Sequence, residues 1–162
     1  MMSKVIRIIV AWLMVAISLL MIFFFSNKNG EESSELSSGT LENIVDIFVE
    51  EERVPEVVEK YHTPFRKIAH VGIYMLLGFS LACAFSLSLS INPIFSYVFS
   101  FVVGLIYSLI DEFVFQGNSN GRGPSIVDAL VFDGLGLLAG ILLFGIFLLL
   151  YKKYADKNRN LV

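Results

Sequence analysis

The residues of this chain that could do chemistry are few and fall into three short groups. Arg66, Lys67, His70 and Tyr74 come first, Asp111, Glu112 and Gln116 follow, and Arg122, Asp128 and Asp133 complete the set. Three bases and a histidine can neutralise a phosphate or carboxylate, with arginine acting as a planar bidentate fork. The interleaved acids can hold those bases in place, or contact sugars and amines. In an enzyme, His70 or an acid among Asp111, Glu112 and Asp133 would serve as general base. Arg66, Lys67 and Arg122 would then steady a phosphoryl or acyl transition state. A divalent ion on Asp111, Glu112, Asp133 and His70 would favour that enzyme, although the spacing itself calls for no metal and no cofactor. No Ser/His/Asp order, HExxH or cysteine-based motif is present. Cys83 is the one cysteine, lies in an apolar run and reads as a packing residue, so no intrachain disulfide can form.

The elements that must position these groups are long and apolar. Apolar types make up 56% of the 162 residues and charged types 17%, against about 45–50% and about 25% in ordinary globular proteins. Mean hydropathy is +0.72. A soluble sphere of this size could not hide so much apolar side chain, so the composition predicts a membrane protein. The net charge of −3 and the lack of a basic run exclude nucleic acid as a partner class. The lipid bilayer is the first partner.

A bilayer core of about 30 Å takes about 20 helical residues, and four runs qualify: residues 6–25, 68–89, 94–115 and 126–151. The first lacks a small-x-small cleavage site after Phe25 and is expected to stay as an uncleaved anchor. Asn92-Pro93 breaks the chain between the second and third runs, and Pro93 suits the first turn of a new helix. No repeat is visible, and the expectation is one all-α domain over residues 1–162, an antiparallel four-helix membrane bundle. Four spans put both termini on one side. The tails are short and basic (Lys4, Arg7, Lys152, Lys153, Lys157, Arg159), whereas residues 30–61 hold ten acids and two bases. This predicts cytoplasmic termini and an acidic outer loop, residues 26–65. Within that loop Leu41, Ile44, Val45, Phe48 and Val49 share one helical face, opened by Gly39 or Thr40. Pro55 is expected to start a second short helix that runs to about Tyr61.

Threading these spans brings the polar groups together. Spacings of three and four set Arg66, Lys67, His70 and Tyr74 on one face at the outer end of the second span. Asp111 lies about 25 Å up the third span, so Asp111, Glu112 and Gln116 reach the same side, with Arg122 in the turn beyond. The fourth span enters there with Asp128, placed to cap it, and Asp133 about 7.5 Å deeper. Arg66, Lys67 and Arg122 are the counter-charges on offer to the adjacent carboxylates Asp111 and Glu112. Gly136 and Gly140 form a small-xxx-small pair that allows close helix approach, and Gly72, Gly78 and Gly104 are candidates for the same role.

At these residues the chain resembles the VanZ-like family of small bacterial membrane proteins. The resemblance covers nearly the whole chain. It rests on Arg66-Lys67-x-Ala69-His70-x-x-x-Tyr74, on Asp111-Glu112 followed by Gln116, and on Gly121-Arg122, Asp128, Asp133 and Gly136. Two spacings depart from the family pattern: Gln116 falls one residue later, with Phe115 in its place, and the last two acids stand one residue further apart. The resemblance implies a bacterial cell-envelope role, its name-giving member being linked to low-level resistance to teicoplanin-type glycopeptides. Three functions compete on this reading. The first is an envelope factor whose outer polar pocket binds an anionic lipid head group or cell-wall precursor. The second is an integral-membrane enzyme acting on a lipid-linked or phosphorylated substrate. The third is a small transporter, disfavoured because no broken central helix or inverted repeat is visible.

Overall fold

The computed structural model of the chain describes residues 3–26, 30–89, 91–116 and 125–159. Five α-helices dominate it: α1 (Lys4–Ser26), α2 (Gly30–Val45), α3 (Val54–Ser88), α4 (Pro93–Ile110) and α5 (Gly134–Arg159). Four stretches are long and apolar enough to cross a membrane: Lys4–Ser26, Val54–Ser88, Pro93–Phe115 and Asp128–Asn158. The architecture is an all-α bundle, and α3 is its hub, packed against every other helix. The spans alternate in direction. Trp12 near the start of α1 donates to Ser88 at the end of α3 (3.0 Å), so these two run antiparallel. Asn92 accepts from the Ile94 amide (2.9 Å) and caps α4, with Pro93 in its first turn as its fixed φ favours.

Small residues set the close packing. Ser96, Ser100, Gly104 and Ser108 recur every four residues along the buried face of α4. Gly136 and Gly140 of α5 lie directly on the α3 backbone, where a Cβ would strike the carbonyls of Val71 and Met75. Gly78 of α3 receives the backbone of Leu137 in return, and Gly104 receives its side chain. Leu137, fully buried, is therefore the knob on which α3, α4 and α5 converge. Gly72 does not share this role, since a Cβ there would meet nothing within 4 Å.

Two expectations about the acidic segment are corrected. The short helix expected to start at Pro55 and the span expected from residue 68 are one continuous 35-residue helix, α3, with Pro64 inside it. At about 1.5 Å per residue it reaches about 52 Å, well beyond a bilayer core. Pro64 removes one backbone bond, but Val54, Val57, Val58 and Phe65 on either side of it are clamped by Leu41 and Val45 of α2. That contact holds the helix through the proline. Likewise α2 begins well before Gly39 and ends at Val45. Residues 46–48 are a turn, so Phe48 leaves the helical phase and stands 81% exposed, and Ile44 falls outside the stripe of Leu41, Val45 and Val49 that packs on the start of α3.

Candidate functional site

The polar groups gather at one end of the bundle, where the middle of α3 meets the end of α4 and the start of the last span. Arg66, Lys67, His70, Glu112, Asp128, Phe132 and Asp133 line one cavity of about 40 Å³. Tyr74 and Asp111 lie buried beside it and are joined by a 3.0 Å hydrogen bond from the phenol to Asp111 Oδ2. Arg122 lies outside the described residues, as does the side chain of Gln116.

Backbone geometry changes where the acids are. Asp111–Gln116 and Asp128–Asp133 are π-helical turns, in which the backbone bonds five residues back. On an ordinary helix, residues five apart diverge by about 140°. The wider π turn narrows that divergence, and Asp128 and Asp133 both reach α3. Each π turn also accommodates one residue more than the α-helical turn it replaces.

Each acid has a donor. Lys67 Nζ pairs with Asp128 Oδ1 at 3.0 Å, both side chains about two-fifths exposed (38% and 39%), and lies 4.4 Å from the centre of the Phe132 ring. Ser108 Oγ donates to Asp133 Oδ2 at 2.8 Å, with Ala129 O at 3.3 Å. The Ser125 amide donates to Glu112 Oε1 at 2.6 Å. Ser125 is also the cap of the last helix, its Oγ accepting from the Asp128 amide at 3.3 Å. The capping role expected of Asp128 thus belongs to Ser125, and Asp128 is released for Lys67. Glu112 in turn sits at the positive end of that helix, which favours an acid. The expected pairing of Arg66 with Asp111 or Glu112 is not formed. Arg66 makes no ion pair among the described residues.

His70 stacks on Tyr74, ring centres 6.5 Å apart at 23°. Its Nδ1 stands 3.8 Å from Asp133 Oδ1, too far for a hydrogen bond and near enough for charge attraction when the ring is protonated. Ser108, Asp133 and His70 therefore form a row from α4 through the last span to α3. Among the described residues, no three His, Cys, Asp or Glu side chains converge as a metal site.

The residues 9–148 match the family model described as VanZ/LLP1. The chain belongs to the VanZ/LLP1 family. The matched stretch contains every cavity residue named above and both π turns. No curated protein and no solved structure matches the chain. Three residues of the site were not singled out from the sequence: Ser108 and Ser125, which donate to Asp133 and Glu112, and Phe132, which lines the cavity. The four-residue recurrence of Ser96, Ser100, Gly104 and Ser108 was a signal for the first. Its distance of three residues from Asp111 would have placed it one turn below the acids. Ser125, three residues before Asp128, was a legible cap. Phe132 carried no signal among so many phenylalanines.

Proposed function

We propose that this VanZ/LLP1 member is an envelope factor whose polar cavity binds an anionic head group, of a lipid or a lipid-linked wall precursor, at the outer face of the membrane. The observation that carries this reading is the state of the charges. The acids are occupied by Tyr74, Ser108, Ser125 and Lys67, whereas Arg66 lines the cavity without an ion pair among the described residues. A half-buried guanidinium with unused donors is suited to a phosphate or carboxylate. The outer location follows from the basic tails and the acidic segment of residues 30–61. Sequestering or shielding such a head group is a route by which the chain would contribute to glycopeptide tolerance of the teicoplanin type.

The test is retention of a radiolabelled anionic lipid by purified protein and by Arg66→Gln. The reading requires that the variant lose most of the bound lipid, and equal retention would refute it. The row Ser108–Asp133–His70 favours a second reading, an enzyme acting on a phosphorylated or lipid-linked envelope substrate. In that reading Asp133 closes from 3.8 Å to hydrogen-bond distance of Nδ1 when substrate binds and holds the neutral imidazole, leaving Nε2 to take a proton from an attacking hydroxyl or water. The two readings separate on His70→Gln. It would leave binding intact and abolish turnover in an enzyme, and there would be no turnover to abolish in a binding factor.

A further inference from the structure

A second cavity shares Arg66 and His70 with the polar one. It measures about 140 Å³ and lies between the end of α1, α2 and α3, with Phe25, Leu36, Phe65, Ala69 and Ile73 as its apolar walls. Packed interiors leave few voids larger than a water molecule, and this one opens on the bundle side of the acidic helix. An apolar chamber and a polar chamber thus meet at one arginine.

Resting on the reading that the polar cavity takes an anionic head group, we propose that the ligand is a phospholipid-type amphiphile. Its phosphate sits at Arg66, and the first carbons of one acyl chain lie in the groove beneath α2. The volumes set the division. A cavity of about 40 Å³ has room for about three water-sized centres, which suits phosphate oxygens and leaves any sugar outside. An apolar cavity of about 150 Å³ accommodates benzene, so 140 Å³ takes about six carbons of a chain. The remainder has an exit. Phe25 also borders an open groove along α1 formed by Ile17, Leu20, Met21, Phe23 and Phe24, a face that a bilayer would cover. The charge at the junction selects the head group, because Arg66 is the junction's cation without an ion pair among the described residues and Lys67 is held by Asp128.

The experiment uses the full chain in detergent micelles and three probes: dioleoyl phosphatidylglycerol, glycerol 3-phosphate and dioleoylglycerol. Binding is read by native mass spectrometry and competition. The intact lipid should bind at least about tenfold more tightly than either fragment. Ala69→Phe, which fills the groove from α3, should weaken the intact lipid by about tenfold and leave glycerol 3-phosphate binding unchanged. Arg66→Gln should weaken both. If Ala69→Phe holds the lipid like the wild type while Arg66→Gln does not, the chain does not use the groove: this inference fails and the head-group reading stands. If Arg66→Gln binds every probe like the wild type, the head-group reading fails and takes the inference with it. A photoactivatable group near the acyl carbonyl gives a check on the unaltered chain. Cross-links on Leu36, Phe65 or Ile73 support the proposal, and cross-links confined to the outward face of α1 overturn it.

Discussion

Replacing Tyr74 by phenylalanine removes one oxygen from a fully buried polar contact of the bundle. The phenol and the Asp111 carboxylate are both fully shielded from solvent and 3.0 Å apart. Hydrogen bonds to charged groups contribute about 1.5–3 kcal/mol in water-soluble proteins. Interhelical bonds in a bilayer are weaker, averaging about 0.6 kcal/mol with a maximum of about 1.7, because the unfolded helices also find partners. A carboxylate acceptor and complete burial put this pair at the top of the bilayer range. We expect a coupling of about 1.5 kcal/mol between Tyr74→Phe and Asp111→Leu in a double-mutant cycle. Unfolding in mixed micelles can be followed by Trp12, the chain's one tryptophan. It packs edge-on against Phe85 and bonds Ser88 at the opposite end of α3, so it reports the bundle and not the local change. Losses that add to within about 0.3–0.5 kcal/mol would refute the argument that the pair is one unit.

Four further outcomes follow from the same geometry. Gly140→Ala should cost about 1–3 kcal/mol by overpacking α5 on the Met75 and Phe79 backbone, whereas Gly72→Ala, mid-helix with open space around it, should melt no lower than the wild type. Lys67→Gln should change stability by no more than about 1 kcal/mol, since its ion pair with Asp128 is about two-fifths exposed, and a larger loss in micelle unfolding would mean the pair is drier than the geometry gives. Ser125→Ala should destabilise the start of the last span by about 1 kcal/mol, read as faster amide exchange at Val127 and Asp128. In a Cys83→Ala background, a cysteine at Phe48 should react with an impermeant maleimide outside intact cells and one at Asn158 should not; the reverse pattern would move the cavity to the cytoplasmic side.

The spans were legible because bilayer thickness demands long apolar runs, and those at residues 6–25 and 94–115 match the spans Lys4–Ser26 and Pro93–Phe115 to within two residues at each end. The meeting of Arg66, Lys67, His70, Tyr74, Asp111, Glu112, Asp128 and Asp133 at one end was legible from alternating threading alone. Gly136 and Gly140 were legible because only a missing Cβ lets α5 touch α3. The wiring inside the cluster was not. A 3.6-residue period cannot announce a π turn, so the partners of Asp128 and Asp133 could not be read from spacing. Opposite charges suggested Arg66 for Asp111, but a buried carboxylate is satisfied as well by a phenol, and Tyr74 reaches it from the same face of α3. The continuity of α3 through Pro64 depends on α2 packing across it, a tertiary contact that local propensity does not encode.

On the proposed reading, the cavity around His70 and Asp133 is a working site and not only a stabilising network. The measurement that tests it most directly compares cells carrying the wild type, His70→Gln or Asp133→Asn with cells lacking the chain. Glycopeptide susceptibility and the pool of lipid-linked wall precursors would be read at equal membrane levels of protein. Both variants should insert and accumulate normally yet behave like the cells without the chain. Variants that are stable, correctly inserted and indistinguishable from the wild type in both readouts would contradict it.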